Sequence, residues 1–354
     1  MTPGDARTQR RLLLAALATL EDRDRVDGLP RDGTSDAEAF LAVARHHRLT
    51  PLLSALPADG LGARLAEACR RDRLVTVARN LLMGRVAEAC LGALEAAGVP
   101  AIVLKGLAYE AALYAAGSRP TSDLDLLVPG DRRHAAFAVL DRLGFEPRAA
   151  AAGFDDLDYH EVAWSRVDAE VDLHMALAPL VRCRIDYAEV WARAVPITIG
   201  KTAARSLDAR HAAAFHALHM AIDHFYVPAI YLLDFARLLP SEAELAEAEV
   251  VARAWGCRRP FATALALADE FLPVWRAGHA PRAAPWFARR VAAAYGSTEP
   301  LPRRVQLARK MAHFDDPATA LRYTVVQARR KAREAVLRRF GRRSPRERLA
   351  LDPR

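Results

Sequence analysis

The sequence predicts an α+β fold in which a small mixed β-sheet is flanked by N-terminal and C-terminal helical subdomains. Three observations support this prediction. Residues 10–97 are rich in Ala and Leu at helical spacing, the stretch 100–199 contains short segments of alternating apolar and polar residues, and helical spacing returns after Leu207. Because the hydrophobic period is about 3.6 residues in helices and about 2 in strands, the change of period marks the limits of the sheet.

The N-terminal helical region is interrupted at 28–34 and 57–60, where Gly, Pro and Asp cluster. Glycine and proline are strong signals for turns between helices. The stretch 61–97 is expected to form one long helix or two. Three arginines before an apolar run at 12–20 mimic a signal peptide, but no small-residue cleavage site follows. A short amphipathic helix is therefore predicted at this position.

The predicted sheet region alternates strands with helices. Strands are expected at 100–104, 123–128, 145–149, 159–166, 169–175 and 195–199, and helices at 107–116 and 131–143. Only Val167 and Asp168 separate the fourth strand from the fifth, so these two strands are expected to form a hairpin. An antiparallel hairpin would make the sheet mixed rather than purely parallel.

The helix predicted after Leu207 has Asp208 as a suitable N-cap, because an aspartate side chain accepts hydrogen bonds from free backbone N–H groups. His216, His219 and Asp223 fall on one face of this helix, at a spacing that would suit a metal site. We interpret the histidines as hydrogen-bonded packing residues, which is their more frequent role on a helix beside a polar cleft.

Length and charge indicate several structural units. At 354 residues the chain exceeds a typical single domain. We expect an N-terminal helical subdomain at 1–98, an α/β core at 99–204, a helical subdomain at 205–300 and a basic helical tail at 301–354. The tail holds 16 basic and 5 acidic residues, a net charge of +11, whereas the remainder holds 35 and 38, a net charge of −3. The tail is thus expected either to bind an anionic partner or to be a solvated helix face.

Composition argues against several classes of protein. Hydrophobic residues make up 52% of the chain and charged residues 27%, which is typical of a globular protein. The apolar stretch 96–116 is broken by Pro100, Lys105 and Glu110, so no transmembrane segment is expected. The four cysteines lack C-x-x-C spacing, which argues against zinc sites and disulfides and favours the cytoplasm. No motif for reading the DNA major groove is visible.

Asp123 and Asp125 are two carboxylates at strand spacing inside an apolar segment. Successive strand side chains alternate faces, so these two project together, roughly 6.5 Å apart along the strand. Like charges raise each other's energy unless a cation lies between them, and oxygen ligands suit Mg²⁺. The alternative is a solvated strand edge. If the pair is repulsive, Asp125→Asn should change folding little.

A second acidic strand is predicted at 169–175. Glu170, Asp172 and His174 alternate with apolar residues and therefore share one face. If this strand lies beside the first, Asp172 joins the earlier pair of acids. Three carboxylates facing one point can hold two metal ions about 3.5–4 Å apart for phosphoryl transfer. An ordinary half-exposed strand would show the same alternation.

This pattern resembles the uncharacterised nucleotidyltransferase family of the DNA polymerase β superfamily, from about 40 to 240. The matching segments are, in chain order, Leu104-Lys105-Gly106, Arg119-Pro-x-Ser122, Asp123-x-Asp125 and Glu170-Val-Asp172-Leu-His174. The fold that the resemblance implies is a small mixed-sheet nucleotidyltransferase core between helical subdomains.

The resemblance implies an enzyme that moves a nucleoside monophosphate from a nucleoside triphosphate (NTP) such as ATP to a hydroxyl group and releases pyrophosphate. The acceptor would be an unidentified small molecule, peptide or glycan. Asp123, Asp125 and Asp172 would be the catalytic residues and the ligands of Mg²⁺ or Mn²⁺. By analogy, Asp172 would bind the metal that activates the attacking hydroxyl, or accept its proton directly.

The NTP is expected at the turn of Lys105 and Gly106, where glycine lets backbone N–H groups approach the phosphates and the ammonium adds a charge. Arg119 is a candidate clamp for the departing pyrophosphate. Ser122 and His174 are further candidate nucleotide-binding residues. The wider superfamily usually has Gly-Ser at this turn, whereas this chain has Lys-Gly, which leaves the phosphate geometry open.

A second interpretation is a catalytically silent nucleotide-binding or antitoxin-like interaction module with a basic docking tail. The intact carboxylate set favours the enzyme, because an inactive descendant has no need of three acids that repel one another.

Overall fold

A computed structural model describes residues 6–22, 28–30, 32, 34–56, 58–148, 160–223, 225–296 and 302–340 of the chain. Its N-terminal helices are α1 (Ala6–Glu21), α2 (Ser35–His46), α3 (Thr50–Leu53), α4 (Ala58–Leu61) and α5 (Ala63–Ala96). The predicted N-terminal amphipathic helix is confirmed by α1, which buries Leu12, Leu13 and Leu17 on one side. The stretch that the sequence assigned to one helix or two is the single helix α5.

The central part of the chain forms the sheet. Its elements are β1 (Ile102–Val103), α6 (Lys105–Leu113), β2 (Leu124–Leu127), a 3-10 turn (Gly130–Arg132), α7 (Arg133–Arg142), β3 (Glu146–Pro147), β4 (Glu161–Ser165), β5 (Glu170–His174), α8 (Tyr187–Arg193), β6 (Val195–Ile199) and β7 (Thr202–Ser206). Within the described residues, seven strands form one sheet in the order β3-β4-β5-β2-β1-β7-β6. β2 runs parallel to β5, whereas β4 and β5 form an antiparallel hairpin. The prediction of a mixed sheet is therefore confirmed.

Strand β7 was not predicted from the sequence. It pairs with β6 across a two-residue turn formed by Gly200 and Lys201. Gly200 has a φ of 61°, a left-handed conformation that two-residue hairpin turns commonly need from glycine. Elsewhere the predicted elements differ at their ends: α6 begins and ends earlier than the expected 107–116, and residues 149–159 lie outside the described part.

The chain after the sheet is helical, as predicted. The helices are α9 (Ala209–Ile222), α10 (Ile230–Leu238), α11 (Glu242–Trp255), α12 (Arg258–Phe271), α13 (Pro273–Ala277), α14 (Trp286–Ala294), α15 (Arg303–Ala312) and α16 (Pro317–Phe340). Asp208 caps α9, since its carboxylate accepts a hydrogen bond of 3.0 Å from the His211 backbone N–H. Residues 341–354 of the predicted basic tail lie outside the described residues.

Two large hydrophobic cores hold these layers together. One lies between the N-terminal and C-terminal helices and contains Leu13, Phe40 and Phe235. The other packs α5 and α7 against the sheet around Val86 and Trp164. The helices before and after the sheet thus share one core, while the division of the chain into four units stays a prediction. None of the helices in the described ranges has both the length and the apolar character needed to cross a bilayer.

Gly117 shapes the turn that leads into β2, and we predict that Gly117→Ala destabilises the fold. Gly117 has a φ of 72°, and a Cβ atom there would lie 2.1 Å from Val77 Cγ2. Backbone strain and overpacking together should cost about 2 kcal/mol or more of the free energy of unfolding. Gly130→Ala is the matched control, because a Cβ atom there would meet nothing within 4 Å beyond the local backbone and the adjacent residues. Equal melting temperatures for the two variants would contradict this prediction.

Candidate active site

The carboxylates of Asp123, Asp125 and Asp172 converge on one face of the sheet. β2 and β5 are parallel neighbours whose register pairs Asp125 with Asp172. Asp123 lies two residues before Asp125, so the alternation of strand side chains directs both toward the same face. One oxygen atom from each of the three carboxylates lies within 4.8 Å of the others. The structure thus brings together the three acids selected from the sequence, and their catalytic role stays a prediction.

Asp125 is the buried member of the cluster, with a side chain that is 0% exposed. Lys105 Nζ lies 2.6 Å from its Oδ1 atom, and His174 Nε2 lies 3.1 Å from the same oxygen. Burial opposes ionisation, but the charges of Lys105 and His174 outweigh it and hold the pKa of Asp125 below its usual range. Asp125 is therefore ionised and has its counter-charges within the protein.

Asp172 experiences the repulsion that the sequence led us to expect for the whole cluster. Burial, followed by the nearby Asp125 carboxylate, raises the pKa of Asp172 to about 6. A carboxylate with this pKa can accept a proton near neutral pH. Asp123 has a third environment, because Ser122 Oγ donates it a hydrogen bond of 3.0 Å. The three acids are thus electrostatically distinct.

The donor set of the cluster fits a divalent metal ion. Asp125 Oδ2 is buried and accepts no hydrogen bond from any described residue, and an unpaired buried oxygen is costly. A Mg²⁺ ion held by Asp123, Asp125 and Asp172 would compensate this oxygen and relieve the repulsion at Asp172. Ligation by oxygen atoms alone is what Mg²⁺ and Mn²⁺ prefer.

The backbone at Gly106 lies directly against the acids. Gly106 has a φ of 38° and a ψ of −109° inside the first turn of α6, a conformation suited to glycine. A Cβ atom there would lie 3.3 Å from Thr121 Cγ2 and 3.8 Å from Asp125 Oδ2. The glycine therefore allows a close approach of backbone and carboxylates where the NTP phosphates are predicted. Nucleotide binding at this turn stays a prediction.

Arg119 has partners other than those expected from the sequence. Its Nε and Nη2 atoms bind the two oxygens of Asp234 at 2.9 and 2.7 Å, and neither side chain is more than 5% exposed. Tyr114 donates a further hydrogen bond of 2.8 Å to Asp234, and Arg119 Nη1 donates to the carbonyl of Gly106 at 3.3 Å. This guanidinium is already engaged in a buried ion pair, and its role as a pyrophosphate clamp stays a prediction. We therefore interpret Arg119 as a residue that holds the Gly106 turn.

Glu161 is a site residue that was not selected from the sequence. It lies opposite His174 in the β4–β5 hairpin, and its Oε2 atom is 3.3 Å from His174 Nδ1. Burial lowers the pKa of His174, but the Asp125 and Glu161 carboxylates outweigh burial and raise it. The sequence did contain a signal for Glu161. In a hairpin whose turn lies at 167–168, residues at equal distances from the turn face each other, and positions 161 and 174 form such a pair.

Tyr231 on α10 was also missed. Its ring stacks on the rings of His216 and His219, at centroid distances of 5.3 and 5.7 Å. His216 Nε2 lies 2.9 Å from the Tyr231 carbonyl, which agrees with the interpretation of His216 as a hydrogen-bonded packing residue. Among the described residues, the carboxylate cluster is the group with metal-ligand geometry, and the two histidines are not part of it. No sequence signal separates Tyr231 from its apolar neighbours.

The fold and the carboxylate cluster define the class, an α+β protein of the nucleotidyltransferase type. Residues 33–273 match the family model described as "Uncharacterised nucleotidyltransferase". The match spans 241 of the 354 residues, and the chain belongs to this family. The resemblance found in the sequence motifs is thereby confirmed.

Two solved structures resemble part of the chain. One is a solution structure of the antibiotic-resistance factor ANT(2'')-Ia, with 17% identity and a TM-score of 0.37, covering 49% of this chain and 91% of that chain. The other is a crystal structure of ANT(2'')-Ia with adenylyl-2''-tobramycin, with 18% identity and a TM-score of 0.36, covering 49% and 95%. Comparison with curated proteins gave no significant match.

We predict that Arg119→Ala destabilises the protein by about 3–5 kcal/mol, because it leaves the buried Asp234 carboxylate without its counter-charge. Denaturant unfolding would measure the loss. Arg45→Ala is the matched control: its ion pair with Asp72 is 2.8 Å long, but the Arg45 side chain is 51% exposed. Removing such a surface pair should cost at most about 1 kcal/mol. Similar losses in the two variants would argue against a structural role for the Arg119–Asp234 pair.

We also predict that metal affinity depends on pH through Asp172. Below a pKa of about 6 this carboxyl is protonated and cannot bind a cation, so Mn²⁺ affinity should fall as the pH drops from 8 to 5. Calorimetric titration of the wild type and of Asp172→Asn measures the effect, and the variant should show a flatter profile. An unchanged affinity of the wild type across this range would contradict the prediction.

The same raised pKa has a consequence for the metal-free protein. As the pH rises, Asp172 loses its proton at a higher pH in the folded state than in the unfolded chain, where the pKa of an aspartate is about 3.9. The contribution of Asp172 to stability should therefore fall as the pH rises from about 4 to about 6. Thermal unfolding in the presence of a chelator checks the sign, with Asp172→Asn as the control that lacks this contribution.

Proposed function

We propose that the protein is a metal-dependent nucleotidyltransferase that moves a nucleoside monophosphate from an NTP to an acceptor hydroxyl and releases pyrophosphate. The observation that carries this proposal is the convergence of three carboxylates within 4.8 Å, in a chain of the nucleotidyltransferase family. The cluster lies beside a glycine turn that admits a close approach of backbone. The acceptor we propose is a small molecule, a peptide or a glycan.

The three acids act together in this proposal. Asp123, Asp125 and Asp172 would hold Mg²⁺ or Mn²⁺, which when bound neutralises phosphate charge and favours ionisation of the acceptor hydroxyl. Asp172 would bind the metal that activates the acceptor hydroxyl, or instead accept the hydroxyl proton directly, for which its raised pKa in the metal-free protein suits it. The acceptor oxygen then bonds to the α-phosphorus, the bond from that phosphorus to the bridging oxygen breaks, and pyrophosphate leaves with the electron pair.

The remaining site residues bind or position. Lys105 and the Gly106 backbone would meet the phosphates of the NTP, since a compact ammonium and a turn without a Cβ atom suit an anion. His174 holds Asp125 through its Oδ1 atom, and Ser122 orients Asp123. We propose that Arg119 acts on the site indirectly, through the Gly106 carbonyl.

One observation favours a second candidate, a nucleotide-binding module without catalysis. The ammonium of Lys105 already lies 2.6 Å from Asp125 and stabilises its negative charge without a metal. Such a site could bind an NTP and remain silent. The unpaired Oδ2 atom of Asp125 favours the enzyme, because the lysine leaves that oxygen uncompensated.

The basic C-terminal segment suggests how the protein is recruited. Arg322, Arg329 and Lys331 of α16 lie at exposed positions. We propose that the segment 301–354 docks an anionic partner, and that the protein acts in the cytoplasm, where the buried cysteines stay reduced.

The test is incubation with each NTP labelled at the α-phosphate, with Mg²⁺ or Mn²⁺ and pools of candidate acceptors. The wild type should transfer label to the protein or to an acceptor, and Asp123→Ala should not. Binding of NTP by both proteins without any label transfer would favour the silent module and contradict the enzyme.

Two conservative variants separate catalysis from folding. Asp123→Asn should lower turnover by at least about 10²-fold, because one electrostatic stabiliser is lost, with little change in melting temperature. Asp125→Asn should lose turnover and also about 3 kcal/mol of stability in metal-free buffer, since Lys105 then lacks its buried partner. This reverses the expectation from the sequence that Asp125→Asn changes folding little. Equal melting temperatures for the two variants would show that the buried ammonium of Lys105 does not need the charge of Asp125 to be stable in the fold.

A further inference from the structure

Arg48 adopts a backbone conformation that is unfavourable for its residue type. It lies in the turn between α2 and α3 with a φ of 58°, and Arg48 and Phe225 are the non-glycine residues with positive φ in the described ranges. The left-handed region brings the Cβ atom of an L-residue into close contact with the backbone, whereas glycine adopts it freely. Such outliers are common at functional sites, so the Arg48 side chain is a candidate for a function.

The turn that carries Arg48 is fixed against the start of α10. The His47 carbonyl accepts a hydrogen bond of 3.2 Å from the Ile230 backbone N–H. The His47 ring accepts another of 3.1 Å, through Nδ1, from the Ala229 backbone N–H. The next residue of α10 is Tyr231, which stacks on His219. Arg48 is thereby held beside the first turn of the helix that carries Tyr231.

The charge of Arg48 is available for a ligand. Its side chain is half-buried, and no carboxylate among the described residues forms an ion pair with it. Packed rings connect Tyr231 to the acid cluster: Tyr231 stacks on His219, the His219 ring lies 6.3 Å from that of Phe215, and the Phe215 ring lies 6.3 Å from that of His174, which contacts Asp125. Burial raises the pKa of Tyr231, and the positive charges of Lys105, Arg48 and Arg119 oppose that rise.

We propose that Arg48 binds the triphosphate of the NTP. The inference rests on the proposed function and deepens it by assigning an arginine to the triphosphate. Of the three cations considered, Lys105 is paired with Asp125 and Arg119 with Asp234, whereas Arg48 has no described acidic partner. A guanidinium group can bind two phosphate oxygens at once. The guanidinium of Arg48 would thus neutralise part of the triphosphate charge, approaching it from the N-terminal helices.

The left-handed conformation of Arg48 makes a sharp test possible. Arg48→Gly removes the guanidinium and also removes the backbone strain, so its melting temperature should equal or exceed that of the wild type. The dissociation constants for inorganic tripolyphosphate and for the NTP that the wild type binds most tightly should rise roughly tenfold or more. The KM for that NTP should rise with little change in kcat. Arg48→Lys should recover part of the affinity.

Arg45→Gln is the matched control, because it removes an arginine three residues away that is paired with Asp72. This variant should bind both ligands as the wild type does. Wild-type affinity in Arg48→Gly, while the wild type itself binds and transfers from the NTP, would overturn the assignment of Arg48 and leave the proposed function intact. Absence of NTP binding by the wild type would overturn both.

Discussion

Parallel pairing of β2 with β5 places Asp125 opposite Asp172 on one face of the sheet, and the other features of the site respond to the negative charge concentrated there. Three carboxylates within 4.8 Å repel one another unless positive charge is supplied. The protein supplies part of it through Lys105 and His174, which contact the same oxygen of Asp125. What is left uncompensated is the second oxygen of Asp125 and the carboxylate of Asp172.

This partial compensation would allow the proposed site for divalent ions to exist in a folded protein before the metal binds. A fully uncompensated cluster would oppose folding, and a fully compensated one would have no affinity for a metal. Here the buried acid is ionised and held by a lysine, whereas the acid with the higher pKa is poised to exchange a proton. The ion pair of Arg119 with Asp234 supports the site without belonging to the carboxylate cluster. Arg119 also donates a hydrogen bond to the carbonyl of Gly106 and so holds the turn beside the acids.

The sequence predicted the features that depend on local periodicity. The alternation around Asp123, Asp125 and Asp172 identified the shared face, because side-chain direction in a strand depends only on parity. The cap at Asp208 and the β4–β5 hairpin were predicted for similarly local reasons.

The features that the sequence did not predict depend on distant contacts or on weak local signals. Arg119 and Asp234 are 115 residues apart, and no local pattern pairs them. Lys105 was expected from its place in a turn to face a phosphate, and only the three-dimensional packing reveals that its ammonium contacts Asp125. Strand β7, with the sequence Thr-Ala-Ala-Arg-Ser, carries too little apolar alternation to be recognised before its partner β6 is known.

The central claim is that the three carboxylates jointly hold the ions on which NTP chemistry depends. The most direct measurement is a crystal structure with Mn²⁺ and a non-hydrolysable NTP analogue, with anomalous scattering used to locate the metal. We predict manganese bound by oxygens of Asp123, Asp125 and Asp172, at the roughly 2.0–2.2 Å expected for small divalent ions. An analogue bound elsewhere, with no anomalous density at the cluster and Asp125 still held by Lys105 and His174 alone, would contradict the account.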